Sequence, residues 1–157
     1  MDNRVMISTY DLFPEILKIL ESGQKVKFTI SGTSMLPWIR DNLDQVVLVG
    51  AQGKRVGLGD IILFYNEVKG YTLHRIYKKE KNLYTTIGDS CFIADEPIQT
   101  DNILGIVESI CRKGKVIRCS AIKWRLVFWL WRNFLPVRPP LMRLYYMLVK
   151  VKKKLTN

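Results

Sequence analysis

The chain is expected to be mostly β: a coiled antiparallel sheet or open barrel, with a short N-terminal helix before it and an amphipathic helical pair after it. Three observations carry that expectation. Between residues 24 and 119 the apolar residues come in short runs, some alternating with polar ones and separated by Gly-containing turns. The flanking segments instead space their apolar residues as helices do. From residue 120 onward the composition turns strongly basic and Trp-rich.

The elements follow in order. Residues 1–23 read as a short helical segment. Pro14 suits a first helical turn, Ile16, Leu17, Ile19 and Leu20 give an apolar face, and Gly23 fits a stop. In residues 24–119, Val26, Phe28 and Ile30 alternate with polar neighbours, a half-buried strand leading straight to Ser34. Further strands are expected at 45–49, 60–65, 71–79, 83–87, 103–111 and 115–119, with Glu80-Lys81-Asn82 joining two of them as a hairpin. Many short strands with Gly-rich turns make the coiled sheet or open barrel. In residues 120–157, Ala121 to Leu135 reads as a helix with Trp124, Val127, Phe128, Trp131 and Leu135 on one side. Pro136, Pro139 and Pro140 interrupt it, and Leu141 to Val149 forms a second helix ending in Lys150, Lys152, Lys153 and Lys154.

Charge and cysteine usage narrow the function classes. The net charge is +11, and the tail from 120 carries nine basic residues and no acidic one. Neither apolar run there reaches the roughly 20 uncharged residues of a spanning helix. Trp-rich basic amphipathic helices suit the interface of an anionic membrane. Packing on the β domain, or on a partner, is the alternative. Nucleic acid is disfavoured, because charge and aromatics come without a reader motif. Cys91, Cys111 and Cys119 have no metal-ligand spacing, and with one histidine no metal or cofactor is expected. Reduced thiols and the lack of a secretory signal point to a cytoplasmic protein, peripheral on a membrane where the tail docks.

The chemistry is concentrated in Ser31-Gly32-Thr33-Ser34-Met35-Leu36-Pro37 and the single histidine, His74. A serine hydroxyl needs a neighbouring base to take its proton as it attacks a carbonyl. Imidazole, with an ordinary pKa of about 6.5, keeps a usable neutral fraction at pH 7. The base needs a group that fixes its tautomer, and Asp89 and Asp95 lie in a turn-rich segment downstream. Singly, each piece has a plain structural reading: a polar turn, a strand histidine, a Gly-Asp turn. In this order they form a candidate triad of Ser34, His74 and one aspartate. Backbone N–H groups of Ser34, helped by the Gly32-Thr33 turn, would form the oxyanion hole. Met35 is expected to pack beneath the nucleophile and Pro37 to stiffen the loop exit.

From about Val26 to Cys119 the chain resembles the S24/S26 peptidase superfamily, which holds the signal peptidases I and the LexA-like self-cleaving repressors. The resemblance rests on Ser31-Gly32-Thr33-Ser34-Met35-Leu36-Pro37, Gly59-Asp60-Ile61-Ile62-Leu63-Phe64, Leu73-His74-Arg75-Ile76, Gly88-Asp89 with Asp95, and Gly105-Ile106-Val107. Most bacterial members carry lysine where His74 stands. Histidine there is similar to the signal peptidases of endoplasmic reticulum, archaea and some spore-forming bacteria. The resemblance implies Ser34 as nucleophile, His74 as general base and then acid, and Asp89 and Asp95 as orienters. Asp95 is favoured for the contact with His74, because Asp89 sits in a tight Gly-Asp turn. It implies a serine endopeptidase acting on a leader, signal or other peptide segment, with small side chains preferred before the cut. The alternative is a non-catalytic peptide-binding module docked to a membrane surface or partner through the tail helices. Secretory signal peptidases sit behind a spanning helix, which is not evident here. The substrate would then be a cytosolic leader, or a membrane-bound protein cut from the cytoplasmic face, unless the tail inserts more deeply. The segment before the sheet is too short for a LexA-like DNA-binding unit.

Overall fold

The computed structural model describes the backbone of residues 9–133 and 138–155, and side chains from 13 to 133 and 138 to 149. The elements are α1 (Thr9–Glu21), β1 (Val26–Thr29), β2 (Gln45–Gly50), β3 (Ile61–Asn66), β4 (Gly70–Glu80), β5 (Leu83–Ile87), β6 (Ile98–Gln99), β7 (Ile103–Arg112), β8 (Lys115–Arg118), α2 (Ile122–Asn133) and α3 (Arg138–Leu155). The eight strands form one antiparallel sheet in the order β1-β2-β7-β3-β4-β5-β6, with β8 beside β7. The path ends at β1 and β6, so the sheet is open and not a closed barrel.

Strand β7 organises it. Along one edge it pairs with β2. Along the other, Ile103–Ile106 pair with β3 and Ser109–Arg112 with β8. Register breaks at Val47/Leu48, Leu63/Phe64 and Ile76/Lys78 bend the strands and coil the sheet. Strand β3 reads Ile61-Ile62-Leu63-Phe64 without alternation because both its faces are covered. Ile61 and Leu63 join Val46, Leu48, Val107 and Ile110 in a core closed by Phe13, Ile16 and Leu20 of α1 and Phe128 of α2. Ile62 and Phe64 join Ile76, Tyr84 and Ile103 in a second core. Gly50 lets α1 lie directly on β2, since a Cβ there would stand 2.9 Å from the Leu20 carbonyl oxygen.

Several sequence expectations need correction. The described helix α1 starts at Thr9, so Pro14 lies inside it and not in a first turn. Residues 1–8 fall outside the described part, as do Leu135 and Pro136. Pro139 and Pro140 do not break a helix; they open α3, where a missing N–H leaves no bond unmade. Strand β6 is only two residues long and has no periodic signal.

Trp124, Phe128 and Trp131, expected as a surface for a membrane or partner, face the domain instead. All three rings meet Trp38 of the β1–β2 loop edge-on, at 5.6–6.2 Å between centroids. Phe128 is fully enclosed, with the Arg75 guanidinium stacked 4.0 Å from its ring centre. Aromatic area of this size gains more from burial than from exposure. Lys152, Lys153 and Lys154 lie on α3, with side chains outside the described part. No described helix is long and apolar enough to cross a membrane.

Candidate active site

The loop that follows β1 is anchored before it is chemical. Met35, Leu36 and Ile39 are buried and pin it to the core. Short turns close it: the N–H groups of Trp38 and Ile39 both donate to the Met35 carbonyl, at 3.1 and 2.9 Å. The buried Asp44 carboxylate accepts from Arg40 and from Arg112 of β7. Arg112 in turn donates to the carbonyls of Pro37 and Trp38, at 3.1 and 2.6 Å. Burial of Asp44 opposes its charge, but the hydrogen bonds from Arg40 and Arg112 outweigh that and hold its carboxyl below the usual range. Ser34 is half-buried on this frame.

His74 projects from the middle of β4, opposite Ile62 of β3, and is buried. Its Nδ1 lies 2.6 Å from Asp95 Oδ2. A carboxylate can only accept, so Nδ1 carries the proton and a neutral ring presents its lone pair at Nε2. Asp95 accepts two further bonds, from Thr86 Oγ1 and from Lys69 Nζ, each at 2.7 Å. Burial again opposes the charge of Asp95, and the bonds from His74, Lys69 and Thr86 overcome it, so the carboxyl sits far below the ordinary range.

Gly88 shows what faces Nε2. A Cβ on this residue would stand 3.0 Å from His74 Nε2, 2.7 Å from the Ser34 carbonyl oxygen and 2.7 Å from Cys91 Sγ. These three atoms therefore surround one point, and only glycine lets the Gly88–Cys91 turn enter between them. Ser90 ties the two loops together: its N–H donates to the Ser34 carbonyl at 2.9 Å, and its hydroxyl to the Thr33 carbonyl at 2.8 Å. Ser34 and His74 are thus neighbours, without a hydrogen bond between hydroxyl and ring in this arrangement. Such contacts often tighten only when a substrate is bound.

Asp89 does not touch His74. It forms a two-pronged pair with Arg75, Nε to Oδ1 at 2.8 Å and a terminal nitrogen to Oδ2 at 2.7 Å, both side chains fully buried. Arg75 also donates to the Gly59 carbonyl, and Trp131 Nε1 to the Asp89 carbonyl at 3.1 Å. Asp89 therefore holds the turn that carries Gly88. The Gly32 N–H is taken by Asp41 Oδ1 at 2.8 Å, so it is not free for an oxyanion. The glycine contributes conformation, with φ at 113°. The N–H groups of Thr33 and Ser34 have no described partner. Pro37 follows a cis peptide bond at the loop's turn.

Lys69, Thr86, Ser90, Arg75, Asp44 and Arg112 were missed from sequence. Most of their partners lie in other elements, where no local pattern signals them; Arg40, four residues before Asp44, is the local exception. Among the described residues no three His, Cys, Asp or Glu side chains converge as a metal site would require. The three cysteines are free thiols.

One stability consequence follows from Asp44 and Asp95. Both folded-state carboxyls lie below their unfolded values. Their contribution is complete above the ordinary aspartate pKa of about 4 and is lost as pH falls through the folded values. Melting temperature is expected to be flat from neutral pH down to mild acid and to drop below about pH 4. A thermal-melt series in acid measures it.

Comparison with known protein families, with curated proteins and with solved structures finds no match.

Proposed function

We propose that this protein is a serine endopeptidase in which Ser34 attacks a peptide carbonyl. His74 takes the hydroxyl proton at Nε2 and passes it to the leaving amine, and water then releases the acyl-enzyme through the same base. Asp95 fixes the ring and stabilises the imidazolium. The N–H groups of Thr33 and Ser34 serve the oxyanion. The observation that carries the reading is the buried His74–Asp95 pair, 2.6 Å apart, with Nε2 and the Ser34 carbonyl oxygen both close to the same point at Gly88. The resemblance to signal peptidases supports a leader- or signal-like substrate. Among the described residues strand β1 ends the sheet and runs into the Ser34 loop, so an extended substrate can add to that edge. In this reading the enzyme is cytoplasmic and peripheral to a membrane.

Cys91 gives a second reading, since its sulfur shares the same point beside Nε2. Burial pushes its thiol up, and the Asp95 charge adds to that. A thiol held neutral is a poor nucleophile. Purified Cys91→Ala is therefore expected to keep cleavage within about threefold of wild type, while Ser34→Ala loses it. The reverse pattern would assign the chemistry to the cysteine.

Lys69 is a positioning residue in this scheme. Its ammonium offsets part of the Asp95 charge that stabilises the imidazolium. Lys69→Met is expected to move the acid limb of kcat/KM to higher pH. Lys69 is half-exposed, so the shift should stay under about one unit. An unmoved limb, with unchanged kcat, would remove Lys69 from the mechanism.

A further inference from the structure

Helix α2 carries two apolar stripes, and only one is used by the domain. Trp124, Phe128 and Trp131 face inward. Ile122, Leu126, Trp129 and Leu130 stand at spacings of four, seven and eight residues, which puts them on one outward stripe. Their exposure runs from 40% for Leu130 to 87% for Ile122. Helix α3 repeats the feature with Leu141, Leu144 and Leu148, all exposed at helical spacing. An isolated exposed leucine needs no explanation, but an exposed apolar stripe on each of two successive helices does.

Charge selects the occupant. From residue 120 onward there are nine basic residues and no acidic one. On α2, Lys123, Arg125 and Arg132 accompany the stripe. A groove of about 550 Å³ runs along this helix, walled by Leu58, Ile122, Leu126 and Trp129, with Arg125 and Arg132 also lining it. The one carboxylate there, Asp60, already accepts the Gly57 N–H at 2.8 Å. A second copy of the chain would bring two such basic segments together with no acid between them. Nucleic acid would use the charge and leave the apolar stripe in water. An anionic bilayer takes both: leucine and isoleucine enter the acyl boundary, tryptophan sits at headgroup level, and arginine and lysine meet lipid phosphates.

We propose that the outward stripes of α2 and α3 seat this protein on an anionic lipid bilayer, with α2 lying in the plane of the interface. The inward face of the same helix bonds through Trp131 to Asp89. Docking therefore puts the Ser34–His74 cleft about one helix diameter, some 10 Å, from the lipid surface, within reach of segments emerging from the bilayer. The docking face stands independently of the peptidase chemistry.

The test is vesicle flotation of the full chain, with phosphatidylcholine alone and with phosphatidylcholine containing phosphatidylglycerol. Wild type is expected to float with the anionic vesicles and not with the neutral ones. Tryptophan emission should shift to shorter wavelength on binding, and Trp129→Phe, which keeps the apolar stripe, should lose most of that shift. Leu126→Glu with Trp129→Glu should lower the bound fraction about tenfold or more. Val68→Glu, on the exposed β3–β4 turn, should float as wild type does. Circular dichroism shows whether the double variant is folded; the altered side chains lie on the surface, so its core is untouched. Ser34→Ala should float like wild type, which separates failure of docking from failure of the catalytic reading. Wild type bound to neither vesicle would overturn the proposal, and a doubled mass in solution or retention by DNA would then name the true occupant. A folded double variant that floats like wild type would overturn it equally.

Discussion

Replacing His74 with alanine is expected to lower cleavage about 10⁴-fold or more while the protein stays folded. The catalytic loss follows because His74 is the one histidine of the chain and its Nε2 the one imidazole nitrogen beside the Ser34 loop. The fold survives because Asp95 keeps two of its three partners: Thr86 Oγ1 and Lys69 Nζ remain at 2.7 Å. The carboxylate is then still paired, and no buried charge is stranded. Asp95→Asn should also cost activity heavily, because an amide can donate to Nδ1 and invert the tautomer. Initial rates on a cleaved peptide, with a melt to check folding, measure both. A purified His74→Ala protein that still cleaves would end the mechanism.

The opposite outcome is expected at Asp89, where stability suffers first. Asp89→Ala would leave the Arg75 guanidinium fully buried without its carboxylate. Removing one member of a buried pair costs about 3–5 kcal/mol, a large part of a small domain's stability. Arg75 also joins Gly59 to Phe128, so the loss reaches the β3 entry and α2 together. Substituting both partners by apolar residues, as in Arg75→Met with Asp89→Leu, should recover part of that cost. Urea unfolding of the three variants gives the cycle. If Asp89→Ala unfolds at the wild-type midpoint, the pair is not what holds the Gly88 turn.

The contrast between the two aspartates shows what a sequence can carry. Asp89 follows glycine in a tight turn and Asp95 does not, and that local difference separates their roles. The strands were legible because β1 alternates, and because β3 is apolar on both faces and so reads as a continuous run. The open sheet follows from their number and turns; its strand order does not. The charged ties were not legible. Arg75–Asp89, Lys69–Asp95 and Asp44–Arg112 join residues 14, 26 and 68 positions apart, and no local pattern connects the two partners of each pair. Helix α2 misled for another reason. Both of its sides are apolar, so periodicity establishes a helix without saying which stripe turns inward. The tryptophans looked like interface residues, yet Trp38 supplies a buried partner for three aromatic rings at once.

The claim that Ser34 is the nucleophile of a peptidase is tested most directly by the protein N-termini of cells that carry wild-type chain or Ser34→Ala at equal abundance. A defined set of termini present with wild type and missing with Ser34→Ala is the expected result. It would name the substrate, the cut site and the residues before it. Identical termini in the two cells would contradict the peptidase reading and leave the open sheet as a binding surface.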